Sequence, residues 1–130
     1  MGFVNRSWGG YEMATAHYHG SCQCGSVSFE VDADLDHTVI CNCSRCKRLG
    51  STLAFAPREK FTLLSGEDKL SEYLFNKHKI HHFFCSTCGI ESFAYADGPD
   101  GTPMVAVNAN CLDGVDPRAL KSQAFDGAAA

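Results

Sequence analysis

The sequence predicts a mainly β domain tied together by its cysteines. Several short stretches alternate apolar and polar residues with the period of a strand. Helical periodicity is nearly absent, and seven of the eight cysteines gather into three clusters. With 130 residues, 45% of them hydrophobic and nine of them Phe, the chain suffices for one domain with its own core.

The elements are expected in the following order. Met1 to Glu12 mixes Gly, Asn, Arg and Trp and lacks the apolar core of an export signal. Residues 1–14 therefore read as a flexible extension, with a second Met at Met13. The domain is expected over 15–127, followed by a tail at 128–130 within the fraying run Gly127-Ala128-Ala129-Ala130. Val27, Phe29 and Val31 alternate with Ser26, Ser28 and Glu30, which gives a strand with one apolar face. Thr38-Val39-Ile40 runs into Cys41. Thr52 to Ala56 and Phe61 to Leu64 are strand-like, with Pro57 between them, and Ser65 to Asp68 is a turn. Glu72 to Phe75 and Lys79 to Phe84 flank another polar turn. Ser92 to Tyr95 alternates, Asp97 to Gly101 turns, and Met104 to Val107 closes the set. Two short helical turns are expected: Ser44 to Leu49, stopped by Gly50, and Pro117 to Leu120, with Asp116 as its cap.

Composition removes some functions. Charged residues make up 20% of the chain and the formal net charge is −4, the wrong sign for a nucleic-acid footprint. No apolar run reaches the length of a membrane span. Without an export signal the expected compartment is the reducing cytoplasm, where structural disulfides are rare. Eight cysteines then point to metal binding.

The clusters are Cys22-Gln23-Cys24-Gly25, Cys41-Asn42-Cys43-Ser44-Arg45-Cys46 and Cys85-Ser86-Thr87-Cys88-Gly89, with Cys111 apart. The third has the form of a zinc knuckle, whose glycine lets the backbone fold under the ion. It offers two ligands where a structural zinc takes four. Cys22 and Cys24 are the evident donors of the rest, so the site would staple early and late parts of the sheet and add folding free energy. The middle cluster offers three sulfurs and has no partner pair. Zinc with four thiolates carries about −2, whereas with three it carries about −1 and keeps a position open to a thiolate, water or carbonyl oxygen. Competing readings are a disulfide or buried free thiols at Cys22, Cys24, Cys85 and Cys88. For Cys41, Cys43 and Cys46 they are a second structural zinc closed by Cys111 or a histidine, or a redox dithiol at Cys43 and Cys46. Cys111 reads as a small buried hydrophobe.

Four segments in this order carry a resemblance: His19 to Val27 (HGSCQCGSV), Cys41 to Cys46 with Gly50, Phe84 to Gly89 (FCSTCG), and Val107 to Asp116 (VNANCLDGVD). Together they resemble the glutathione-dependent formaldehyde-activating enzymes, a family that also includes the centromere protein V domain. The similarity runs from about residue 17 to residue 126. It implies an Mss4-like fold, a structural zinc on Cys22, Cys24, Cys85 and Cys88, and a second zinc on Cys41, Cys43 and Cys46. It also implies the family's reaction, in which glutathione and formaldehyde combine to S-hydroxymethylglutathione, in reverse a carbon–sulfur lyase step. This chain is shorter than the family's named enzymes, and Gln23 stands where many members carry His.

Around the middle cluster, Arg45, Lys47 and Arg48 are candidates to receive the carboxylates of glutathione, against the reading of a solvated surface. Asn42 and Ser44 are expected to orient the cysteine loop. His78, His81 and His82 read as surface or cleft residues. His81 and His82 point to opposite faces of a strand, and either is a minor candidate for acid–base work. Phe55, Phe61, Tyr73, Phe75, Phe83, Phe84, Phe93 and Tyr95 are expected in the core. The expected function is a zinc-dependent carbon–sulfur lyase with one structural and one catalytic zinc. Its partner is a small thiol–aldehyde substrate, and its catalytic centre is Cys41, Cys43 and Cys46. The alternative is a non-catalytic, zinc-stabilised binding module of the same fold. A thiol redox enzyme such as a methionine sulfoxide reductase would need Arg or His beside Cys111, where Asn110 and Leu112 stand.

Overall fold

Phe29, Phe61 and Phe93 meet at the centre of the molecule, with ring centroids 5.3 Å apart for Phe29 and Phe61 and 4.8 Å for Phe61 and Phe93. They come from three strands of two sheets in a computed structural model that describes residues 15–129. The expected extension over 1–14 lies outside the described residues. Val27, Val31, Ala54, Ala56, Val105 and Val107 complete the buried layer between the sheets. Each fully buried side chain of this size contributes about 1.5–3 kcal/mol relative to exposure.

The smaller sheet holds β1 (Thr15–Ser21), β2 (Ser28–Asp34) and β5 (Phe61–Ser65), in the order β1-β2-β5. The larger sheet holds β3 (Thr38–Cys41), β4 (Leu53–Pro57), β6 (Leu70–Tyr73), β7 (His81–Cys85), β8 (Glu91–Asp97), β9 (Pro103–Asn108) and β10 (Ser122–Phe125). Its order is β10-β3-β4-β9-β8-β7-β6. All pairings are antiparallel except that β10 runs parallel to β3. A single α-helix among the described residues, α1 (Ser44–Leu49), ends at Gly50, whose φ of 72° suits glycine. The turn over Pro117–Ala119 is capped as expected, Asp116 accepting from the Arg118 N–H at 3.0 Å. No helix among the described residues is long and apolar enough to cross a membrane.

The alternation reading places most strands and misses two. β1 and β10 are edge strands whose side chains lie mostly in solvent, so neither has an apolar face to betray it. The stretch expected as strand through Phe75 leaves the sheet after Tyr73, and the next strand begins at His81 rather than Lys79. Asn76 and His78 take left-handed φ values of 56° and 58°, which no strand accommodates. Residues 127–129, expected to begin a frayed tail, form a short turn whose Ala128 N–H donates to Asn42 Oδ1 at 2.9 Å.

The face of the large sheet turned away from the core positions the site. Phe55 pairs with Ala106, Ala106 with Ala94, Ala94 with His82 and His82 with Tyr73, so five residues form one row across five strands. Phe55, Tyr73 and Phe75, expected in the core, belong instead to this outer side. Phe55 and Tyr73 are exposed, whereas Phe61 and Phe93 are buried as expected.

Candidate metal centres and the adjoining pocket

Two tight turns build the four-cysteine cluster. Cys22 and Cys24 sit in the turn from β1 to β2, while Cys85 ends β7 and Cys88 lies in the turn from β7 to β8. The first turn belongs to the small sheet and the second to the large one, so the staple joins two sheets rather than two ends of one. The Val27 N–H donates to Cys22 Sγ at 3.3 Å and the Thr87 N–H to Cys85 Sγ at 3.4 Å. Gly89, at φ 81°, returns its N–H to the Cys85 carbonyl at 2.8 Å. All four sulfurs lie within 4.8 Å of one another. Cys24 Sγ is 3.7 Å from both Cys22 Sγ and Cys85 Sγ. Zn–S bonds of about 2.3 Å put sulfurs about 3.8 Å apart along a tetrahedron's edge, whereas a disulfide needs about 2.05 Å. The geometry fits a tetrahedral zinc, and none of the eight cysteines is in a disulfide. Burial pushes the Cys22 thiol up to about 11. Burial also acts upward on Cys88, but N–H groups of Ile90 and Cys24 and the neighbouring thiols outweigh it and bring Cys88 down to about 6.

A strand–helix junction builds the three-cysteine cluster. Cys41 ends β3, Cys43 caps α1 and Cys46 lies in the helix's first turn. The Cys43 N–H donates to Cys41 Sγ at 3.4 Å and the Cys46 N–H to Cys43 Sγ at 3.3 Å. The three sulfurs lie within 4.8 Å of one another, and among the described residues no fourth Cys, His, Asp or Glu joins them. Cys111 packs against the core, burial pushing its thiol up. Burial likewise lifts Cys46 to about 12. For Cys43 the upward push of burial is outweighed by N–H groups of Cys46 and Arg45, and its thiol is lowered.

The chain end walls this cluster on one side. Because β10 runs beside β3, the Asn42 N–H donates to the Phe125 carbonyl at 3.2 Å. Asn42 Nδ2 donates to Asp126 Oδ1 at 3.0 Å. Gly127 then passes so close that a Cβ there would collide with Cys41 Sγ and stand 3.2 Å from Cys43 Cβ.

On another side the three cysteines open into a cavity of about 600 Å³. The alanines Ala94, Ala96 and Ala106 leave its floor low, and Leu53, Phe55, Phe75, Ile80 and Phe125 form its walls. Lys77 and Lys79 lie on its lining too. A second cleft, lined by Ser44, Arg45, Arg48, Tyr73 and Phe75, lies along α1.

The sequence from 17 to 126 matches the family model described as glutathione-dependent formaldehyde-activating enzyme. The chain belongs to that family. A crystal structure of a Rhodobacter sphaeroides protein, solved in structural genomics, superposes with a TM-score of 0.73 at 31% identity, covering 82% of this chain and 97% of that one. In this member of the family the mainly β, Mss4-like fold brings all seven clustered cysteines into two groups able to hold zinc.

The basic residues of this family member divide. Lys47 is exposed, and Arg48 bonds the Ser44 carbonyl at 2.9 Å from the cleft along α1. Arg45 turns inward: its Nη2 and Nε lie 2.7 and 2.8 Å from Glu91 Oε1, and its guanidinium stacks 4.6 Å from the Tyr73 ring centroid. Glu91 also takes His82 Nδ1 on its other oxygen at 3.1 Å. Glu91 is buried, and its only signal in the sequence is a carboxylate at the start of the alternating strand Glu91–Asp97. His82 is only 5% exposed, and His81 points away from it into solvent beside Glu72.

Proposed function

We propose that this chain is a zinc-dependent carbon–sulfur lyase that makes or splits a thiol–aldehyde adduct, as glutathione and formaldehyde form in its family. The observation that carries the reading is a cluster of three sulfurs with no fourth protein ligand, facing a cavity of about 600 Å³. Cys22, Cys24, Cys85 and Cys88 would hold a structural zinc, and Cys41, Cys43 and Cys46 a catalytic one. The second ion, when bound, supplies a Lewis acid at an open position. Everything else falls to the protein. Backbone N–H groups at Cys43 and Cys46 steady the sulfurs, and Asn42 holds the chain end against them. The cleft along α1 suits the thiol half of the adduct, with Arg48 and the neighbouring Lys47 receiving its carboxylates. Arg45, engaged by Glu91, orients that carboxylate instead of the substrate. The free thiols suit a reducing, cytoplasmic setting.

Zinc content of anaerobically purified protein tests the reading. Two ions per chain are expected, with one lost in Cys41→Ser while circular dichroism is unchanged, and turnover of the glutathione–formaldehyde adduct lost with it. One ion per chain whatever stands at residue 41, or unfolding when the second ion leaves, would turn the domain into a zinc-stapled binding module.

A further inference from the structure

The cavity beside Cys41, Cys43 and Cys46 is far larger than formaldehyde needs and is chemically lopsided. Its floor and most of its walls are alanine, valine, leucine, isoleucine and phenylalanine side chains, with Asn76, Lys77 and Lys79 also on the lining. A ligand that fills it gains by removing apolar surface from water, at about 25 cal/mol per Å². One buried group there breaks the pattern. His82 Nε2 lies out of reach of solvent and has no hydrogen-bond partner, although buried polar atoms are nearly always paired.

The partners on the other side of the ring fix which nitrogen carries a hydrogen. Arg45 holds Glu91 through two N–H groups on one oxygen, which suits a carboxylate. That carboxylate can only accept, so His82 Nδ1 carries the hydrogen it shares with Glu91 Oε2. In the neutral tautomer this leaves Nε2 as the acceptor. The ring is also fixed by Phe75, whose centroid lies 5.2 Å away. The result is an oriented proton acceptor in an apolar chamber that also contains the three sulfurs.

We propose that the pocket takes the aldehyde half of the adduct with an apolar chain of several carbons, its hydroxyl bonded to His82 Nε2, which removes the hydroxyl proton as the carbon–sulfur bond breaks. This rests on the lyase reading above and narrows its substrate. In the adduct R–S–CH(OH)–R′, the O–H proton passes to Nε2 and the oxygen's electrons form the carbonyl. The carbon–sulfur pair leaves with sulfur, as thiolate, toward the cysteine cluster. His82 then gives its proton to the departing thiolate, so thiol and aldehyde leave together while Glu91 keeps the ring in place. Synthesis runs the same steps backwards. His82 is thus a catalytic residue, and Glu91 and Arg45 position it.

The test uses the full, zinc-loaded chain with the glutathione adducts of hexanal and of formaldehyde, and 1-hexanol as an unreactive probe. The hexanal adduct is expected to show kcat/KM at least about tenfold above the formaldehyde adduct. His82→Phe and His82→Gln should each lose about a hundredfold or more with zinc content retained, the usual scale of acid–base help. 1-Hexanol should move the His82 Nε2 resonance in nitrogen NMR where methanol at equal concentration does not. Preference for formaldehyde, or full rates in both zinc-loaded variants, overturns the inference and leaves the lyase reading standing. No turnover of either adduct sinks the lyase reading and this step with it. An unmoved His82 resonance in 1-hexanol overturns the pocket assignment whichever way turnover falls.

Discussion

The two cysteine clusters use the same donor atom and the same N–H support, yet their surroundings differ in kind. The four-cysteine cluster lies where two turns from different sheets meet, and its four sulfurs lie within 4.8 Å of one another. The three-cysteine cluster lies on one chain segment, where β3 passes into α1, with the chain end on one side and the apolar cavity on another. A ligand set drawn from two sheets ties tertiary structure together. One drawn from six consecutive residues ties nothing distant, which would leave an ion there free to serve the proposed chemistry.

The sharpest way to break this contrast is to remove one sulfur from each. Cys85→Ser should abolish cooperative unfolding, because structural zinc contributes on the order of 10 kcal/mol in small domains. Cys41→Ser should leave the unfolding free energy measured in urea within about 0.5 kcal/mol of the parent, as most single changes away from the core do. Equal losses in the two variants, followed by fluorescence or circular dichroism, would erase the distinction.

Next in size is Glu91→Gln. Removing a buried carboxylate leaves Arg45 facing an uncharged partner and His82 without its fixed acceptor. A cost of about 3 kcal/mol is expected, the lower part of the range for a broken buried pair. The zinc content should not change, because Glu91 is a ligand in neither cluster.

Gly127→Val sharpens the asymmetry from the other side. The new Cβ must displace the chain end from Cys41 and Cys43, at about 1–3 kcal/mol for overpacking. Faster loss of one zinc to a chelator is expected, with the second loss unchanged.

The smallest effect concerns His17 on β1, exposed between Asp32 and Glu30 on β2. Hydrogen bonds that its ring donates to Asp32 first and Glu30 second raise its pKa above the ordinary 6.5. Its contribution is therefore fully present below pH 6.5 and fades as pH rises through the raised value. Replacing it with Gln should flatten the stability profile of the β1–β2 edge across that window, read by hydrogen exchange at β1, and leave both clusters unaffected.

Much of this was legible in the sequence because it depends on local spacing. The alternation of Val27, Phe29 and Val31 marks β2, and the order Asp116, Pro117 writes out a capped turn. The pairing of Cys22 and Cys24 with Cys85 and Cys88 follows from arithmetic on ligands. The pocket was not legible, because its floor forms where Ala94 pairs with Ala106 across β8 and β9 and Ala96 follows two residues on along the same face. In one dimension these alanines are merely the small members of apolar strands. Asn42 was expected to orient the cysteine loop, but its partners, Asp126 and Ala128, lie more than eighty residues on. Arg45 offered no sign that a buried Glu91 would claim it.

The alternation along β8 and β9 has a consequence for engineering. Phe93, Val105 and Val107 fill the core, while Ala94, Ala96 and Ala106, one step along the same strands, floor the cavity. The period of two therefore separates what keeps the protein folded from what sets the room available to a ligand. A library confined to those three alanines would vary cavity size methyl by methyl while every core side chain stays as it is. Selection on such a library would read out the room the cavity offers a ligand more directly than it reads out the core.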